Sequence, residues 1–292
     1  MNSRVVDSKG LKHDWNEIMK IASVMMPLFA LVAGVVGFYL RILELWNIFD
    51  ERTGLPERGA AVTIILIALS VALLLIVLAF SYITVKRHSS PEGFENAFGT
   101  EPLKYPVTFT IIGIIWLGAT VKHFLDVNTA GGLPAAEIYF SVLSAMSAIS
   151  IILFNIEVYQ NPQRRTKLAL SVVPVLFMCF WLILLYRQNA SNPVLLSYSY
   201  SCLAIMFAAL GLYYTCGFVF CKPAPGKTIF SSLAAIYFCF VTLADRHSFG
   251  IRLIFISLIA VNVVYSSMLI KNLRVREQNS EQGSSQEQSL TP

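Results

Sequence analysis

Eight stretches of about 20 apolar residues, separated by short polar connections, fill most of this chain. At 1.5 Å per residue a helix of that length crosses a hydrocarbon core of roughly 30 Å, so each stretch is long enough to be a membrane span. They run, to within a few residues, over 21 to 45, 60 to 85, 107 to 126, 135 to 159, 167 to 187, 194 to 220, 229 to 245 and 249 to 270. The runs are continuous rather than alternating, which argues for helices and against an outer-membrane barrel. Apolar residues make up 56% of the chain and charged ones 13%, about half the charged share of a soluble domain. The fold class expected is all-α: a polytopic transmembrane bundle of about eight spans, arranged as four helical hairpins.

Three segments follow from this layout: residues 1–20 as an N-terminal polar segment, 21–276 as the membrane domain, and 277–292 as a polar tail too poor in apolar residues to fold. Residues 1–20 lack the short basic start and small-residue cleavage site of a secretory signal, so the first apolar run is expected to be a retained span. The connections leave no room for a soluble catalytic domain. Any activity must reside in the bundle.

The net charge of +5 reads as a signal of orientation. Fifteen of the 22 Lys and Arg residues fall in the N-terminal segment and the stretches after the second, fourth, sixth and eighth spans. The positive-inside rule therefore sets both termini in the cytoplasm, in a bacterial plasma membrane. No basic face of the kind that binds nucleic acid is left over. The five cysteines (Cys179, Cys202, Cys216, Cys221 and Cys239) lie in or beside apolar runs without metal-site spacing, and are expected to pack as small apolar groups. No metal and no cofactor is implied.

One stretch departs from the apolar background. From Trp116 the chain runs through Lys122, His123, Phe124, Leu125 and Asp126 into a short turn and returns at Glu137. Each outbound span ends similarly in a cation: Arg41, Lys122, Arg187 and Arg246, with Asp126 and Asp245 close by and His123 and His247 directly after Lys122 and Arg246. Four packed hairpins would gather these groups into one polar layer at the outer face. The ordinary account of such cations is that they complement the negative helix end, at about 0.3–1 kcal/mol each, and snorkel to headgroups. Lys122 and Asp126, at i and i+4, would make an ordinary helix pair. Asp245 follows an apolar run, where an unpaired charge is costly, so a cation from Arg246, Arg252 or another hairpin is expected beside it.

Mid-depth polarity is mild: Ser70, Ser144, Ser147, Tyr237 and Asn262. A carrier coupled to protons or sodium usually holds a charge there. Pro27 and Pro174 are expected to kink their spans and free backbone carbonyls. Tyr198 and Tyr200 suit an aromatic belt at the outer interface. An internal repeat of about 60 residues is suggested by turns such as Thr53 to Pro56 and Gly132 to Pro134.

Stretches such as Trp181 to Pro193 (WLILLYRQNASNP) and Thr242 to Ser248 (TLADRHS) resemble those of uncharacterised eight-span bacterial inner-membrane proteins. That resemblance implies the architecture and no activity. The span count is also similar to that of lysoplasmalogenase-like membrane hydrolases, from which no residue role is carried over.

Three functional expectations follow. The first is a binding or transport protein whose outer polar vestibule admits a small anionic or zwitterionic solute or a lipid headgroup. Arg41, Lys122, Arg187 and Arg246 would supply positive potential, with Asp126 and Asp245 orienting them. The second is a lipid hydrolase or transferase with His123 or His247 as base and Asp245 as a further catalytic candidate, which requires a carboxylate within hydrogen-bond reach of one imidazole. The third is a structural or regulatory subunit that pairs with another membrane protein and has no cavity.

Overall fold

The computed structural model describes residues 3–47, 61–89, 93–100, 102–129, 134–160, 166–190 and 194–275. The turns at Thr53 to Pro56 and at Gly132 and Leu133, together with the tail beyond Val275, lie outside these residues. Nine α-helices are present among them: α1 (Ser3–Asn47), α2 (Ala61–Arg87), α3 (Phe94–Phe98), α4 (Lys104–Thr129), α5 (Ala135–Gln160), α6 (Thr166–Asn189), α7 (Ser199–Val219), α8 (Pro225–Thr242) and α9 (Phe249–Asn272). A 3₁₀ turn, Leu195–Ser197, leads into α7. The only extended pairing among the described residues is antiparallel, between β1 (His88–Ser89) and β2 (Arg274–Val275).

Seven of these helices, α1, α2, α4, α5, α6, α7 and α9, are long and apolar enough to cross a membrane. This makes the chain a multi-pass membrane protein. The outer surfaces of α1 and α2 carry Val32, Val35, Ile64, Ile65, Leu75 and Leu78, which are exposed and suit a hydrocarbon surrounding. Helix α1 begins at Ser3, well before the expected start at 21, so the polar N-terminal segment extends the first helix rather than preceding it.

The expected seventh span is a different kind of helix. Helix α8 has 18 residues, opens on Pro225-Gly226-Lys227-Thr228, and ends at Thr242 instead of 245. It still runs between the same two ends as its neighbours: Ser81 on α2 donates to the Gly226 carbonyl at one end, and Asp245 meets Arg41 at the other. From Ile229 to Cys239 only Phe230 escapes full burial, with α1, α2, α7 and α9 packed around the helix. A helix enclosed by protein needs no lipid-facing stripe, which is why its sequence carries Ser231, Ser232 and Tyr237 among the apolar residues.

One end of the bundle is filled with rings. Helix α3 inserts Phe94 and Phe98, which stack at 4.5 Å and touch Phe154, Phe218 and Tyr265 at 5.2–5.3 Å. Its C-terminal Gly99 takes a left-handed conformation (φ 59°) against Asn272, whose side-chain amide donates to the Ala97 carbonyl at 3.2 Å. A Cβ at Gly99 would stand 2.8 Å from that amide nitrogen, so glycine is required twice over.

At mid-depth the mild polar groups are paired. Trp116 Nε1 donates to Ser144 Oγ at 3.0 Å, Ser144 meets Thr120 at 2.7 Å, and Ser70 meets Tyr237 at 2.9 Å. Pro174 cannot bond the Leu170 carbonyl, which accepts from Ser150 Oγ at 2.7 Å instead. Buried polar pairs of this kind join helices where lipid offers no competing partner.

Candidate functional site

The end opposite α3 gathers the termini of α1, α4, α6 and α8 and the starts of α2, α5, α7 and α9, and it carries two polar clusters. The first centres on Arg41, which is fully buried in the penultimate turn of α1. Its Nε donates to Asp245 Oδ1 at 2.8 Å and one terminal nitrogen to Glu44 Oε2 at 2.6 Å. The other terminal nitrogen reaches the carbonyls of Leu196 and Ser197, both at 3.2 Å. Four of the five guanidinium donors are thus used. Beneath the guanidinium lies the Tyr200 ring, with its centroid 5.0 Å away. Tyr200 is buried here rather than set in an interfacial belt.

The carboxylates are completed by hydroxyls. Thr63 on α2 donates to Glu44 Oε1 at 2.7 Å, and Ser201 and Thr242 donate to Asp245 Oδ2 at 3.0 and 2.9 Å. One cation with two carboxylates leaves this cluster one negative charge. Burial without these pairs would cost several kcal/mol per ion, so the cluster clamps α1, α2, α7 and the α8–α9 turn into one arrangement.

The second cluster centres on His123, buried near the end of α4. Its Nε2 lies 3.1 Å from Glu137 Oε2 on α5, and its Nδ1 lies 3.2 Å from Ser248 Oγ at the N-cap of α9. Gln188 on α6 donates to Glu137 Oε1 at 3.0 Å. The neutral tautomer with hydrogen on Nε2 meets both contacts: it donates to Glu137 and accepts from the Ser248 hydroxyl. Gly250 permits this approach of α9 to α4, because a Cβ there would lie 2.6–2.7 Å from the His123 backbone nitrogen and the Ala119 carbonyl.

His247 joins the clusters. Its Nε2 is 3.2 Å from Ser201 Oγ, whose hydroxyl donates onward to Asp245. Burial in the α8–α9 turn lowers the His247 pKa from its usual value. Asp245 opposes this, and Arg252 and Arg41 reinforce it.

Both histidines line one cavity of about 110 Å³, together with Glu137, Gln188, Ser201, Phe140, Trp181 and Phe255. Counting residues at 1.5 Å each from the helix ends, its ring-lined wall lies about 10 Å below the end of the bundle. The volume holds several water molecules or one small organic group.

The sequence-predicted site residues divide between these features. Arg41 and Asp245 are partners, and His123 and His247 share the cavity. Lys122 pairs with Asp126 on the outer surface of α4, and Arg187 and Arg246 are exposed. None of the four cations lines the cavity. Glu137 stands at the edge of the polar stretch in sequence, and packing brings it to His123 and the cavity. Gln188, Ser201 and Trp181 carried no signal beyond that of ordinary helix-end residues. Of the cysteines, Cys216 and Cys239 are buried, whereas Cys179 and Cys221 are exposed and so are not packing groups within the bundle.

Compared with protein-family models, with curated proteins and with solved structures, the chain matches none.

Proposed function

We propose that this membrane protein binds a small solute or a lipid headgroup in the cavity between α4, α5, α6, α7 and α9, as a receptor or carrier open at its polar end. The observation that carries the reading is the convergence of Glu137, His123, Gln188, Ser201 and His247 on one apolar-walled cavity. A largely apolar pocket with a few fixed polar groups is the usual form of a small-molecule site. A cavity of this kind also speaks against a purely structural subunit. Native mass spectrometry of the gently purified protein tests the reading, run beside Leu185→Trp, which fills the cavity from its α6 wall. A bound species present in the parent and lost in the variant is expected. Equal occupancy of both, or an empty parent, overturns the assignment of the cavity.

A second reading is favoured by one specific observation. The His123 imidazole stands between a hydroxyl, Ser248, and a carboxylate, Glu137, which is the arrangement of a base-activated nucleophile. In that reading the chain cleaves a lipid ester, with Ser248 attacking and His123 taking its proton. Ser248 also caps α9, accepting from the Ile251 amide at 3.4 Å, which gives it a structural duty as well. Covalent labelling by a fluorophosphonate that disappears in Ser248→Ala is expected of the hydrolase, and unlabelled protein rejects it.

A further inference from the structure

We infer that the cavity takes a small organic ammonium ion, held by aromatic faces and the Glu137 carboxylate. This rests on the binding reading given above and names its ligand class. Five rings follow one another around the wall. His123 and Phe140 lie 5.2 Å apart between centroids, Phe140 and Trp181 5.4 Å, Trp181 and Phe255 4.9 Å, and Phe255 and His247 5.4 Å. All five residues line the cavity. Three of the five, Phe140, Trp181 and Phe255, are of the kind that attracts alkylated ammonium groups, and the tilted Trp181–Phe255 pair stands at the centre of the arc.

The charge balance points the same way. No Lys or Arg is among the described residues lining the cavity. Glu137 is the one carboxylate on the cavity wall among the described residues; the Gln188 amide bonded to it brings no charge, and the His123 contact is met by the neutral tautomer with hydrogen on Nε2. Of the nearby cations, Arg41 is paired with Glu44 and Asp245 and Arg252 reaches the Asp245 carbonyl; both act on His247, but neither lines the cavity. An anion would therefore meet one carboxylate and no cation. A hydrated metal ion is poorly served too, because calcium and magnesium need about six or more oxygen ligands and the wall is mostly ring and aliphatic carbon. An organic cation is weakly hydrated, needs one counter-charge, and gains from each ring it touches.

The same chemistry is offered by a free amine or quaternary ammonium solute and by the choline headgroup of a lipid. The test uses the full chain in nanodiscs of phosphatidylglycerol, which contains no choline. Titration with tetramethylammonium and choline is followed by Trp fluorescence and calorimetry. The neutral isostere 3,3-dimethyl-1-butanol and sodium chloride serve as controls. Saturable binding of both cations is expected, at least about ten-fold tighter than the isostere and weakened about ten-fold by Glu137→Gln, which keeps the size and one acceptor of the side chain. Trp181→Leu should weaken the cations and spare the isostere. In phosphatidylcholine nanodiscs, loss of choline binding identifies a headgroup as the natural occupant, and unchanged binding identifies a free solute.

Binding of the isostere as tightly as the cations, or cation binding untouched by Glu137→Gln, overturns the ammonium assignment while leaving the cavity a binding site. No saturable binding of cation or isostere, with a parent that carries no bound species by mass spectrometry, overturns both.

Discussion

Replacing Arg41 with methionine removes the buried cation while keeping most of the side-chain volume, and its cost can be worked from the contacts. The guanidinium faces carboxylates at 2.6 and 2.8 Å and is fully buried. At an effective dielectric of about 20, each pair of charges roughly 4 Å apart contributes about 4 kcal/mol of attraction. Desolvation offsets much of that, so the intact cluster adds little net stability. The variant is another matter. It leaves Glu44 with the Thr63 hydroxyl and Asp245 with Ser201 and Thr242, two like charges in a closed site. Orphaning buried charges in this way costs about 3–5 kcal/mol.

At roughly 2–4 °C per kcal/mol for a chain of this order of size, Arg41→Met should unfold about 6–20 °C below the parent. Lys122→Ala breaks a pair whose lysine is 49% exposed and should shift unfolding by less than about 1 kcal/mol. Thermal unfolding followed by intrinsic fluorescence, in one detergent at pH 7, measures both. The triple variant Arg41→Met, Glu44→Gln, Asp245→Asn removes all three charges together and should recover most of the loss, since a neutral replacement of a buried ion cluster is often nearly neutral in stability. An Arg41→Met protein within about 2 °C of the parent refutes the argument. So does a triple variant no more stable than the single one, because the penalty would then not come from orphaned carboxylates.

Three further outcomes follow. His247 is held neutral by burial, with Asp245 opposing and Arg252 and Arg41 assisting, while His123 and Glu137 face it across the cavity. Its folded pKa lies below the unfolded value of about 6.5, so the unfolded chain takes the proton first, and stability falls as pH drops below about 6.5. The slope for one proton is bounded at about 1.4 kcal/mol per pH unit. Thermal unfolding between pH 5 and 7 should show that slope, and His247→Gln should flatten it. Gly250→Ala drives a methyl group into the α4 backbone at 2.6–2.7 Å and should cost about 1–3 kcal/mol in thermal unfolding, together with the His123–Ser248 contact. Cys221 is exposed in the turn after α7, at the end opposite the cavity. If the positive-inside orientation holds, an impermeant maleimide labels it only after cells are opened, and labelling of intact cells reverses the orientation.

The long spans were legible because hydrocarbon length and helical rise leave few alternatives to a run of about 20 apolar residues. Helix α8 escaped full description for a physical reason. Its burial comes from four neighbouring helices, and enclosure by protein leaves no mark on a hydropathy profile that lipid would not also leave. What does mark it is Ser231, Ser232 and Tyr237 within one short apolar segment, a polarity that a lipid-facing span would not tolerate as readily.

The polar end was legible as a list and illegible as an arrangement. A cation at the end of a span satisfies the helix dipole whether it snorkels, as Lys122 does beside Asp126, or turns inward, as Arg41 does. The two differ only in their surroundings. Glu44, one turn along the same helix, was visible in sequence. Asp245 lies 204 positions away and the carbonyls of Leu196 and Ser197 about 155, and only packing brings them to the guanidinium. The functional consequence runs in the same direction. The span-end cations all lie outside the cavity, Arg41 in its own ion pairs, while Glu137, bonded by a histidine and an amide, lines it beside Phe140, Trp181 and Phe255. Counting charges at span ends points to an anionic or zwitterionic solute or a lipid headgroup; packing in space leaves Glu137 as the carboxylate on the cavity wall, which is the ground of the proposed ammonium site.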